Sequence, residues 1–200
     1  TGWVDYTAAL FAYVDWHEQK IIVVDEIFEK NITTGDLAKK LRDKEALVFK
    51  DAYHPVRRIG DFTPQQLNDL RREHGISVRP ADKWDRDSAI CRLRTALQED
   101  KIKVFDRCKK LIHQARSGIR DDHGDFVRVE EDEDMGHCDG VAALIYGHRM
   151  VNMMQNPFVE VTQHGFDTFY SPKSPEPGDK TDGIVITHNP LLITRNSVRR

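Results

Sequence analysis

Several signatures are missing from this sequence. No segment has the form GxxxxGKS/T, so the chain carries no P-loop to cradle nucleotide phosphates. GxSxG, HExxH and clustered Cys/His sets are also absent. Cysteine is scarce: Cys91, Cys108 and Cys138 are far apart, odd in number and never in a CxxC. That argues against a disulfide framework or a structural zinc site and fits a reducing cytosol. No apolar run approaches the roughly 20 residues of a membrane span, and the first residues carry no signal-peptide pattern. A soluble, intracellular protein is expected.

A large excess of one charge sign is also missing. The 200 residues are 39% hydrophobic and 32% charged, with a formal net charge of −3. This allows a sizeable core in one domain with an extension, or in two small domains. The charges are grouped. Glu130-Glu131-Asp132-Glu133-Asp134 is wholly acidic, while Arg71-Arg72, Arg92/Arg94, Arg107/Lys109/Lys110, Arg116/Arg120 and Arg199-Arg200 are basic. Such basic groups suit phosphates or serve as solvated helix faces.

Two acids stand out. Asp61 follows the β-like Val56-Arg57-Arg58-Ile59-Gly60 and precedes Thr63-Pro64, a helix-start pair. Asp139 opens a helix whose residues Val141, Leu144, Ile145, His148 and Val151 fall near one face. A carboxylate in a first helical turn is favoured by the helix dipole, so Asp139 reads either as a cap or as a metal ligand. An acid at a strand end and an acid at a helix start can converge on hard cations. Two such ions about 4 Å apart can drive in-line phosphodiester cleavage.

The remaining elements read as follows. Strands are expected at Thr7–Trp16 and Lys20–Phe28, joined by His17-Glu18-Gln19. A helix follows Thr33-Thr34, with Leu37 and Leu41 inward, and a second runs from Gln65 to His74 and stops at Gly75. Ile76-Ser77-Val78 is expected to pair in parallel with the Asp61 strand, completing a β-α-β unit. Asp85 caps a helix to Gln98, Ile102–Phe105 is a strand, and Asp106 caps a helix from Arg107 to about Ser117. Cys108 on its inward face reads as a buried thiol.

Gly2-Trp3-Val4-Asp5-Tyr6-Thr7-Ala8, Arg58-Ile59-Gly60-Asp61, Asn68-Asp69-Leu70 with His74-Gly75-Ile76, and Lys83 with Asp85-Arg86-Asp87-Ser88-Ala89-Ile90 form an ordered set. It continues through Arg107-Cys108-Lys109-Lys110-Leu111-Ile112 and Gly136-His137-Cys138-Asp139-Gly140-Val141-Ala142-Ala143-Leu144-Ile145-Tyr146. In order and spacing, from Gly2 to about Asn152, the chain resembles the nuclease domain in the C-terminal part of a tailed-bacteriophage terminase large subunit. The resemblance implies an α/β, RNase H-like mixed sheet flanked by helices, with its first strand upstream of residue 1. It also implies a metal-dependent endonuclease that cuts concatemeric double-stranded DNA during packaging, using two Mg²⁺ or Mn²⁺ ions.

By that resemblance Asp61 and Asp139 are catalytic metal ligands, and Lys83 and His137 assist at the phosphate or the metal. The family's first catalytic Asp has no counterpart here; Asp5 is the nearest acid and reads as a further ligand or as a turn-shaping residue. The resemblance implies as partners double-stranded DNA, an upstream ATPase domain and, through the rest of the protein, the portal and small terminase subunit. The implied location is the host cytoplasm, at the procapsid. The expected organisation is a nuclease domain over 1–156 and a Pro-rich C-terminal extension over 157–200, in which Gly183–Thr187 could form a strand. Two alternatives stand beside it: a catalytically incomplete RNase H-like module that docks DNA or a portal, and another RNase H-like nuclease such as a resolvase.

Overall fold

A computed structural model describes residues 6–50, 56–117, 138–153 and 188–196, the last stretch as backbone alone. The molecule is built around β1 (Tyr6–Asp15), where nearly every residue is buried. Side chains alternate across a strand, so β1 feeds two cores. Leu10 and Ala12 face one cluster, and Ala9 and Phe11 face the other. Burying a side chain such as Leu10 or Phe11 contributes about 1.5–3 kcal/mol.

β2 (Lys20–Lys30) pairs with β1 antiparallel, with a register shift between Phe11 and Ala12. β3 (Arg57–Asp61) and β4 (Arg79–Pro80) are parallel, and β5 (Ile102–Val104) runs parallel to β2. β6 (His188–Asn196) lies between β1 and β3, antiparallel to the first and parallel to the second. The six-stranded order is β4-β3-β6-β1-β2-β5. The stretch expected as an extension thus supplies a central strand. Gly183–Thr187 lies outside the described residues, and the observed strand begins immediately after it.

Helices cover both faces. α1 (Thr34–Val48) and α2 (Pro64–Arg72) bury Leu37, Ala38, Leu41 and Leu70 against Phe11 and Ile76. Thr33 caps α1, and Thr63 with Gln66 forms a capping box on α2 with Pro64 just inside. α3 (Arg86–Gln98), α4 (Lys109–Ser117) and α5 (Asp139–Met150) pack on the opposite face around Leu10, Val23, Ile90, Leu111 and Leu144. This is an α/β fold in three layers, a mixed sheet between helices.

Two expected elements begin elsewhere. The strand after α2 is Arg79–Pro80, not Ile76–Val78. Gly75 turns the chain at φ +61°, a conformation glycine adopts freely, and Ile76 then enters the core. The chain comes level with Ile59 only at Arg79. α4 starts at Lys109 rather than Arg107, because residues 105–108 turn, with the Cys108 N–H on the Phe105 carbonyl at 2.9 Å. Its first donors go to Glu26 on β2 instead of Asp106: the Lys110 and Leu111 N–H groups each meet a Glu26 carboxylate oxygen at 2.9 Å.

Candidate functional site

Asp61 ends β3. The strand is held beneath it by a largely buried ion pair, in which Arg58 donates through Nε to Glu45 Oε1 at 2.6 Å. Beyond Asp61 the capped start of α2 turns the chain away, leaving the carboxylate about one-fifth exposed.

Two groups converge on it. Lys83 Nζ stands 2.6 Å from Asp61 Oδ1, and the Tyr146 hydroxyl of α5 donates to Asp61 Oδ2 at 3.4 Å. Lys83 itself is 61% exposed, so the pair lies open to solvent on the lysine side. Lys83 belongs to a braced loop. Arg149 Nε contacts Asp82 Oδ2 at 3.2 Å, and Arg149 Nη1 donates to the Asp85 carbonyl at 3.4 Å. Asp85 caps α3 from the left-handed region, φ 51°, and its bond to Ser88 holds its carboxyl below the usual range.

Asp139 is the first residue of α5 and is fully buried. It precedes Tyr146 by seven positions on one helix, about 10 Å of helix axis. Helix side chains lean toward the N-terminus, so the Tyr146 hydroxyl reaches back toward the Asp139 end. The sheet register gives the same relation across the strands: Asp61 is level with Arg195, Arg195 with Ala8, and Ala8 with Phe28. Phe28 in turn lies against Gly140, beside Asp139. α5 therefore crosses the sheet from β2 to β3, with one acid at its start and the partner of the other in its second half.

The start of α5 is held without a cap side chain of its own. Cys138 makes no capping bond; the Gly140 N–H donates to buried Gln114 Oε1 at 2.9 Å. A Cβ on Gly140 would stand 2.5 Å from the Phe28 ring, so only glycine fits this approach. α5 is buried nearly all round from Asp139 to Gly147, beyond the single apolar face expected.

The structure thus gathers Asp61 and Lys83 and adds Tyr146, which sequence reasoning passed over as a family match without a role. The signal was its spacing: two turns after Asp139 on the same helix. His137 and Asp5 lie outside the described residues, as does the acidic run 130–134. Among the described residues no three His, Cys, Asp or Glu side chains group as a metal-binding set. Cys108 is buried as expected, and burial pushes its thiol up to about 12, which keeps it inert. Burial also lowers the His148 pKa, aided by Arg92. No helix among the described residues is long and apolar enough to cross a membrane.

No protein-family model matches the chain, and no curated protein sequence matches it. Solved structures do. The manganese-bound large terminase nuclease domain of bacteriophage SPP1 superposes with a TM-score of 0.51 at 19% identity, over 76% of this chain and 82% of that one. The large terminase of a thermophilic bacteriophage superposes in two crystal forms with TM-scores of 0.54 and 0.53, at 18% and 20% identity. These cover 73% and 77% of this chain but only 36% and 37% of theirs, so the chain spans little more than a third of the thermophilic phage's protein. The six-stranded mixed sheet with helices on both faces is the RNase H-like fold that this chain shares with the nuclease domains of phage large terminases.

Proposed function

We propose that this chain is the metal-dependent endonuclease domain of a phage DNA-packaging terminase, hydrolysing phosphodiester bonds of concatemeric double-stranded DNA. One observation carries the reading: a carboxylate at a strand end, Asp61, is met by an ammonium from the loop before α3 and a hydroxyl from the helix that begins with Asp139.

Asp61 fits a hard cation. Its oxygens are hard donors, and one already faces the positive charge of Lys83. Asp61 and Asp139 would hold Mg²⁺ or Mn²⁺, with Asp5 and His137 as the remaining candidates. When bound, such ions supply a water of lowered pKa and stabilise the leaving 3′ oxygen. The chain's own groups do the rest. Tyr146 orients the Asp61 carboxylate, and Lys83, long and exposed, turns from Asp61 to a phosphate oxygen once another cation neutralises that acid. Double-stranded DNA is the substrate in this reading, and the ATPase domain, portal and small subunit are partners of the whole terminase at the procapsid.

The test is Mn²⁺-dependent nicking of supercoiled plasmid. Asp61→Asn and Asp139→Asn each abolish nicking on this reading; nicking at the wild-type rate by either removes it.

The complete burial of Asp139 favours a second reading, a catalytically incomplete module that docks DNA or a portal. Calorimetric Mn²⁺ titration separates the two. Binding that disappears in Asp61→Asn supports the nuclease, and absence of binding in the wild type supports the module.

A further inference from the structure

The loop that delivers Lys83 also carries Trp84, and the two neighbours have opposite fates. Lys83 turns in to Asp61, while Trp84 is 81% exposed, the most exposed large hydrophobic side chain among the described residues. An indole left in water gives up the large burial that aromatic side chains normally provide. The loop around it is well held. The Trp84 N–H donates to Asp82 Oδ1 at 3.0 Å, Arg149 holds Asp82 and the Asp85 carbonyl, and Asp85 is fixed at a positive φ as the α3 cap. The backbone on both sides of Trp84 is therefore pinned, and its ring is presented to solvent from the residue next to Lys83. Exposed Arg79 and Arg86 flank it in the chain together with exposed Asp82, Asp85 and Asp87, so the stretch is charge-balanced and the bare indole face is what distinguishes it.

We infer that Trp84 is a stacking platform for an unpaired DNA base next to the scissile strand. A flat, solvent-exposed π face on a braced stretch of backbone matches single-stranded nucleic acid, whose bases present their faces. An intact duplex hides those faces except at ends, gaps and frayed stretches, so the platform selects for locally opened DNA. This rests on the nuclease reading above.

The experiment measures binding by fluorescence anisotropy without divalent metal, so that no cutting occurs. Fluorescein-labelled oligo(dT) and a duplex of equal length are titrated with the wild type, Trp84→Ala and Trp84→Phe, with circular dichroism confirming the fold. Trp84→Ala is expected to bind oligo(dT) about tenfold more weakly, with Trp84→Phe close to wild type and the duplex less affected. Wild-type tryptophan emission is quenched by oligo(dT), and that quenching is lost in Trp84→Ala. If Trp84→Ala binds oligo(dT) as wild type does, or if the loss is equal on the duplex, the stacking inference is overturned. If this happens while the wild type still nicks plasmid, the nuclease reading survives it. A wild type that neither binds nor nicks overturns both.

Discussion

Gln114 Oε1 accepts the Gly140 N–H at 2.9 Å, so a side chain of α4 closes the N-terminus of α5. The same device operates one step earlier, where Glu26 of β2 accepts the first N–H groups of α4. Burial pushes the Glu26 carboxyl up, outweighing the pull of those two donors. Strand, α4 and α5 are thereby locked in sequence, and the last of them brings Tyr146 to Asp61. Replacing Gln114 by Leu strands a buried donor and should cost about 1–3 kcal/mol. Gly140→Ala forces a Cβ into the Phe28 ring and should cost a similar amount, about 1–3 kcal/mol. Urea midpoints measure both, and unchanged midpoints would show that α5 is held by its apolar contacts alone.

Lys83 competes with any other cation for Asp61. Lys83→Ala should therefore leave Mn²⁺ affinity equal or a few-fold tighter by calorimetry, while plasmid nicking falls about tenfold or more. Weaker metal binding in the variant would mean that the lysine supports the ligand geometry instead of occupying it.

Tyr146→Phe keeps the ring and removes only the hydroxyl. Stability should change by no more than about 1 kcal/mol. Nicking should drop several-fold, because the Asp61 carboxylate loses a hydroxyl that holds its orientation. A loss of stability with undiminished nicking would make Tyr146 a packing residue only.

His148 ties stability to pH. Its folded pKa lies below the ordinary 6.5, chiefly from burial and then from Arg92. Its contribution is full above pH 6.5 and is lost as pH falls through the folded value, because the unfolded chain takes up the proton first. His148→Gln should flatten the fall in urea midpoint between neutral and mildly acidic pH. An undiminished slope in that variant would assign the effect to another group.

Much of this architecture was legible. The apolar runs of β1 and β2, the Thr33 and Thr63 caps and the inward Leu37 and Leu41 were readable because their signals are local. So was the placement of Asp61 at a strand end. Glu26 as the cap of α4 was not, since its partners lie more than 80 positions away and Asp106 offered a closer candidate. β6 was hidden for a different reason. It opens His188-Asn189-Pro190, a turn-like start after a proline-rich stretch, and only its neighbours make it a strand. Tyr146 looked like any helical aromatic until the fold brought β3 beneath it.

The placement of β6 has a temporal side. Among the described residues Tyr6–Asp15 and Arg57–Asp61 are hydrogen-bonded into one sheet through His188–Asn196, so the ladder between them stays open until residue 196 has emerged from the ribosome. Nascent chains halted short of that point would expose two unpaired strand edges, and such edges recruit foreign strands. Completion of the ladder that carries Asp61 therefore waits on a segment translated well over a hundred codons after Asp61 itself.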